Sequence, residues 1–120
     1  MKIDQIRNHC LAKKGATEEF PFDQDTLVFK VLNKMFVIAP LDKWEKGEAS
    51  VTLKCDPEYT IELRDRYESI YPGPYVSNKH WNTIDIYKME LKPEFILELI
   101  DHSYDMVVKG MPKSKRALLS

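Results

Sequence analysis

Apolar residues open the chain at helical spacing. Ile3, Ile6, Cys10 and Leu11 stand at i, i+3, i+7 and i+8, which predicts an amphipathic helix over about residues 3–13. Lys13 and Lys14 lie where the helix dipole favours cations, and Gly15 suits the left-handed position beyond the last turn. The next stretch, Thr17 to Asp25, is acidic and contains Phe20-Pro21-Phe22; it reads as an ordered loop pinned by its aromatics. The period then falls to two. Leu27, Phe29 and Val31 alternate with Val28, Lys30 and Leu32, the pattern of a strand buried on one face and partly on the other. Asn33-Lys34 is the expected two-residue hairpin turn, because Asn tolerates positive φ. Met35 to Ala39 returns as the second strand, closed by Pro40.

A mixed-charge loop from Asp42 to Glu48 separates this hairpin from a third strand, where Val51 and Leu53 alternate with Ser50, Thr52 and Lys54. Asp56-Pro57-Glu58 is a helix start, with a capping carboxylate, a proline at the first position and an acid in the first turn. That helix runs to Arg66 or Tyr67 and buries Tyr59 and Leu63. Pro72-Gly73-Pro74 forces a turn. Tyr75-Val76 and Trp81 to Tyr87 read as two further strands, with Ile84 and Ile86 facing inward. Pro93 opens a long last helix that Gly110 ends before Pro112, and a basic tail, Lys113 to Leu119, adds a helical turn or two.

The long helix is unusual in its breadth. At about 100° per residue, Glu94, Glu98, Asp101 and Asp105 fall on one narrow acidic stripe, and Phe95, Ile96, Leu99, Ile100, Tyr104, Met106, Val107 and Val108 spread over the rest. An ordinary surface helix shows an apolar stripe of a little over ~100°, and this one is nearer twice that. It needs cover on two sides: the sheet on one, and helix 1, the tail or a second subunit on the other. Monomer and homodimer both stay open. The element order is α-β-β-β-α-β-β-α, an α+β fold in two layers with an antiparallel five-stranded sheet and helices on one face.

Composition adds bounds. The 120 residues show no repeat, linker or compositional break, so residues 1–120 are read as one domain. No apolar run approaches the ~18 residues of a membrane helix. The N-terminus turns polar at once and has no signal-peptide core, so a cytoplasmic protein with no membrane partner is expected. Cys10 and Cys55 lie far apart and read as free thiols in the core. The 18 basic residues nearly balance the 19 acidic ones, so any affinity for phosphate must come from a local patch.

Candidate chemistry is sparse. Adjacent helical residues point about 100° apart, so His102 is badly placed to act as base for Ser103. Ser103 falls within the apolar arc, where a small residue allows close approach to the sheet and its hydroxyl can bond back to the carbonyl of Leu99. His9, Cys10, Cys55, His80 and His102 form no metal-ligand spacing. Glu18, Glu19, Asp23 and Asp25 read as a solvated rim, and no glycine-rich phosphate cradle is present. No catalytic residue, metal or cofactor is expected.

The most distinctive segment is Ser77-Asn78-Lys79-His80-Trp81-Asn82. Lysine can contact phosphate, asparagine can read base edges, and tryptophan or histidine can stack on a base. Equally, a tryptophan at a strand start is often core-edge, and Asn78 can serve only the turn. Lys30, Lys34 and Lys54 fall on or near the first three strands and would form a cationic face if they point the same way; lysines also protect strand edges. Lys109, Lys113, Lys115 and Arg116 read as a solvated tail.

Taken together, these segments resemble the MmcQ/YjbR family of predicted DNA-binding proteins. The likeness rests on Cys10 with Lys13-Lys14-Gly15-Ala16-Thr17-Glu18, Phe20-Pro21-Phe22, Phe29-Lys30-Val31 and Lys34-Met35-Phe36. It continues through Val51-Thr52-Leu53-Lys54-Cys55-Asp56-Pro57, Asn78-Lys79-His80-Trp81-Asn82-Thr83 and Asp101-His102-Ser103-Tyr104. The resemblance implies an α-β(3)-α-β(2)-α fold similar to that of secretion chaperones, and a double-wing motif from which DNA binding is predicted. It implies a nucleic-acid role for Lys79, His80 and Trp81, which stand in the matching motif, and after them for Lys30, Lys34 and Lys54. DNA is thus the expected partner of a non-enzymatic domain. The alternative is a protein-interaction or chaperone-like module using the apolar face of the C-terminal helix.

Overall fold

The computed structural model describes the whole chain, Met1 to Ser120. Its central hairpin pairs β2 (Thr26–Val31) with β3 (Lys34–Pro40). The turn is Leu32-Asn33, one residue earlier than expected: both residues have positive φ, 46° and 73°, and Val31 lies opposite Lys34. Positive φ at both central residues is what a two-residue loop of the primed kind demands. The hairpin also carries a bulge. Phe29 faces Val37 and Lys30 faces Met35, which leaves Phe36 as the extra residue. Phe36 and Val37 consequently both reach the same core, where strict alternation would send one of them out.

The sheet has six strands, in the order β1-β2-β3-β4-β6-β5, and every pairing is antiparallel. The α+β class and antiparallel sheet are as expected; the additional strand is β1 (Ala16–Glu19), inside the stretch expected to be a loop. β4 is Ser50–Lys54 and β6 is Trp81–Asp85. Of the last two strands, the first is β5 (Ile70–Pro72) rather than Tyr75-Val76, because Tyr75 adopts φ 61° and cannot extend a strand. Ile86 and Tyr87, expected as the end of a strand, lie in a 3-10 turn, Ile86–Lys88.

Five helices complete the chain: α1 (Ile3–Leu11), α2 (Leu41–Glu45), α3 (Pro57–Arg66), α4 (Pro93–Lys109) and α5 (Lys113–Arg116). The short α2 lies in the stretch read as a mixed-charge loop. Asp56 caps α3 as its sequence requires, its Oδ2 accepting from the N–H groups of Glu58 at 3.0 Å and Tyr59 at 3.1 Å.

The two faces of the sheet differ. Ile6 and Cys10 of α1, Leu63 of α3, and Ile96, Leu99 and Ile100 of α4 pack against Phe29, Val37, Leu53 and Ile84 in one continuous core. On the opposite face the register aligns Val28, Ile38, Thr52, Thr83 and Tyr71 in a row that stays outside that core. The hydroxyls of Thr52 and Thr83 lie 2.8 Å apart. The loop after β5 folds onto this row: a Cβ at Gly73 would stand 2.8 Å from Thr52 Cγ2, so only glycine lets the loop come so close.

None of the broad apolar arc of α4 is left among the exposed large side chains. The second cover comes from the chain itself. α1 packs beside α4, and Leu119 of the tail reaches the core. Gly15, at φ 74°, makes room for it, since a Cβ there would meet Leu119 Cδ2 at 2.6 Å.

Candidate nucleic-acid interface

Residues 77–82 form a tight approach to β6. The carbonyl of Ser77 accepts from the N–H of His80 at 3.2 Å and of Trp81 at 3.0 Å. The carbonyl of His80 accepts from Cys55 N–H at 2.7 Å, continuing the β4–β6 ladder beyond its paired residues. Arg64 of α3 holds this turn from below. Its Nε donates to Asn82 Oδ1 at 2.7 Å, and its Nη2 donates to the carbonyls of Trp81, at 3.2 Å, and Asn78. Asn82 Nδ2 donates in turn to Thr60 Oγ1 at 3.2 Å. Asn82 is therefore buried and fully engaged, and is unavailable to read a base.

Trp81 alternates with Asn82 and takes the other face. It is half-buried, lies outside the helix-side core, and stands directly across from Lys54. Opposed residues on antiparallel strands bring their Cβ atoms to roughly 5 Å. In the turn before them Lys79 is exposed and His80 half-buried. Neither Lys54 nor Lys79 forms an ion pair.

The remaining lysines do not join this group. Lys30 shares the helix-free face, but its Nζ lies 2.7 Å from Glu19 Oε2, across the pairing of β1 with β2. Lys34 sits opposite Val31, a core residue, and so belongs to the other side at the tip of the hairpin. The expected single cationic face thus reduces to Lys54 beside Trp81, with Lys79 exposed in the turn before β6; His80, across from the core residue Cys55, falls on the helix side. Arg64, which orders this turn, escaped sequence reasoning; its one signal is that Thr60 and Arg64 stand four apart on the same side of α3.

The other distinctive motif has a different use. Asp101 Oδ1 lies 2.6 Å from His9 Nε2 and 2.5 Å from Lys13 Nζ. Burial raises the Asp101 carboxyl, but bonds from Lys13 and His9 outweigh it and leave the pKa below the usual value. His102 Nε2 accepts from Asp56 N–H at 3.1 Å, so the neutral ring carries its proton on Nδ1. Ser103 does not bond back to Leu99. Its hydroxyl donates to the Phe36 carbonyl at 2.6 Å and accepts from Lys54 N–H at 2.9 Å. Tyr104 donates to the Lys14 carbonyl, and its ring meets Phe36 edge-on at 5.4 Å between centroids. Four consecutive residues thus tie α4 to α1, to the start of α3, to β3 and β4, and to the turn after α1. Both cysteines are free and buried, and burial pushes the Cys10 thiol up to about 12.

Comparison with known proteins places these features in company. The YjbR family model matches residues 11–106, a span that includes both the 77–82 turn and the Asp101–Tyr104 run. The chain is 29% identical over 119 residues to the Escherichia coli K12 protein described as uncharacterized protein YjbR, covering 99% of this chain and 98% of that one. It is 35% identical over 118 residues to uncharacterized protein YbdF of Escherichia coli O157:H7, covering 92% and 93%. The crystal structure of Deinococcus radiodurans protein DR2400, with a DUF419 domain, superposes with a TM-score of 0.87 at 35% identity, covering 98% of this chain and 87% of that one. A Pseudomonas syringae protein shares the fold at 21% identity, with a TM-score of 0.70 over 88% of this chain and 98% of its own. No helix is long and apolar enough to cross a membrane. The family match runs from the end of α1 through most of α4, and the relatives align almost end to end: the chain belongs to the YjbR family.

Proposed function

We propose that the chain is a non-enzymatic DNA-binding domain that contacts phosphates through Lys54 and Lys79, with Trp81 completing the patch. The observation that carries this reading is the placement of Lys54 directly across from Trp81 on the helix-free face, with no carboxylate pairing either lysine. The resemblance to predicted DNA-binding proteins supports it. So does the engagement of the two groups that could suggest a nucleophile and its base, since Ser103 and His102 each serve a structural bond.

Two free lysines give a modest electrostatic grip. Neutralising two phosphates predicts a log–log salt slope of roughly −1.4 to −1.8. Fluorescence polarisation with a labelled duplex bearing a single-stranded tail, followed from about 50 mM to 200 mM salt, tests the reading. Lys54→Ala and Lys79→Ala should each weaken binding and reduce the slope by about one. Absence of binding at low salt, or binding that ignores both salt and these substitutions, overturns it.

A further inference from the structure

Resting on that reading, we infer that the patch takes single-stranded nucleic acid, stacking bases on Trp81 and Tyr75, in preference to duplex. Charge limits what the patch can hold. The chain carries a net charge of −1, Lys30 is neutralised by Glu19, Lys34 lies on the other face, and the Arg64 guanidinium is engaged by Asn82 and two carbonyls. Lys54 and Lys79 alone give a phosphate term too small for useful affinity at physiological salt. A second source of binding energy is required, and it must be non-ionic.

The loop before β6 offers one. Tyr75 is fully solvent-exposed, with φ 61° projecting it from the loop rather than laying it down. Trp81 is half-exposed on the sheet face and contributes nothing to the helix-side core. Both belong to one closed loop, because Gly73 N–H donates to the Trp81 carbonyl at 3.2 Å and Trp81 N–H to the Ser77 carbonyl at 3.0 Å. The loop is held from beneath by Arg64 and from the side by Gly73 against Thr52, so its backbone is set before binding. Aromatic faces beside backbone-tracking cations are a stacking platform, and stacking needs bases that are not already stacked on one another. In a duplex those faces are closed. The Asn78 side chain, exposed at the same turn, adds a donor and an acceptor for a base edge.

The test uses the full chain and three labelled probes of equal length: oligo-dT, a mixed single strand and the corresponding duplex. Oligo-dT and the mixed strand should bind more tightly than duplex at the same salt, and oligo-dT should quench tryptophan fluorescence. Trp81→Ala and Tyr75→Ala should each weaken oligo-dT binding by roughly 5- to 150-fold, while Trp81→Phe retains most of it. Tyr75 touches no core residue, so its variant stays informative if Trp81→Ala folds poorly; circular dichroism and urea unfolding verify both. Duplex binding equal to or tighter than single-strand binding overturns the inference and leaves the DNA-binding reading standing. Full oligo-dT affinity in both alanine variants also overturns it. Binding to none of the probes removes both.

Discussion

The Ser103 hydroxyl donates to the Phe36 carbonyl across 2.6 Å while accepting from the N–H of Lys54 at 2.9 Å. Between β3 and β4 only Val37 with Leu53 and Ile38 with Thr52 are paired. Where the bulge at Phe36 parts the two strands, a helix side chain takes over the missing ladder bond. Ser103 is fully buried, so its loss strands one donor and one acceptor away from water.

Ser103→Ala should therefore lower stability by about 2–4 kcal/mol, the penalty for two buried unsatisfied groups. Urea unfolding measures it. A loss below about 0.5 kcal/mol, within the range of a neutral surface change, would show that the strands close on one another without the serine.

Arg64→Ala should loosen the 77–82 turn without unfolding the domain. The guanidinium serves three acceptors in fixed geometry, which lysine cannot reproduce, so Arg64→Lys should recover only part. Hydrogen exchange at the Cys55 and Trp81 amides should accelerate by roughly 5- to 150-fold, equivalent to about 1–3 kcal/mol. Unchanged protection at both amides would mean that Ser77 and the β4–β6 ladder suffice.

Asp101 sets an acid-side dependence. Burial raises its carboxyl, yet Lys13 and His9 bring its folded pKa below the ordinary 3.8. A depressed folded pKa gives stability that is present above the unfolded value and lost as pH falls through the folded one. The α1–α4 tie should hold at neutral pH and weaken below about pH 4. Comparing urea midpoints from pH 7 to pH 3, Asp101→Asn should be less stable at the upper end and converge on the parent chain at the lower. Parallel curves would assign the acid sensitivity elsewhere.

The legible parts of this fold were those with a strong period or a strong cap. Core-facing residues alternate along β2 and β4, β3 is an apolar run closed by proline, and Asp56-Pro57-Glu58 announces α3. β1 escaped because it is a four-residue edge strand whose side chains are half-buried or exposed, so no apolar period marks it. Missing β1 hid the partner of Lys30, since Glu19 meets it only across that pairing. Tyr75 reads as a strand residue because its side chain is β-favouring, whereas its backbone takes a positive φ, 61°. Ser103 was correctly read as small for close approach. Its acceptor could not be foreseen, because the bulge that frees the Phe36 carbonyl interrupts the very alternation by which strands are recognised.

The helix-side core and the α4 anchors lie on one face of the sheet; Lys54, Trp81 and the Thr52–Thr83 row lie on the other. Under the proposed function, folding and recognition fall on opposite sides of a single thin wall. Lys54, Lys79 and Trp81, exposed or half-buried, could then be exchanged with little disturbance to the helix-side core, whereas Val28 and the Thr52–Thr83 row are themselves buried and must stay.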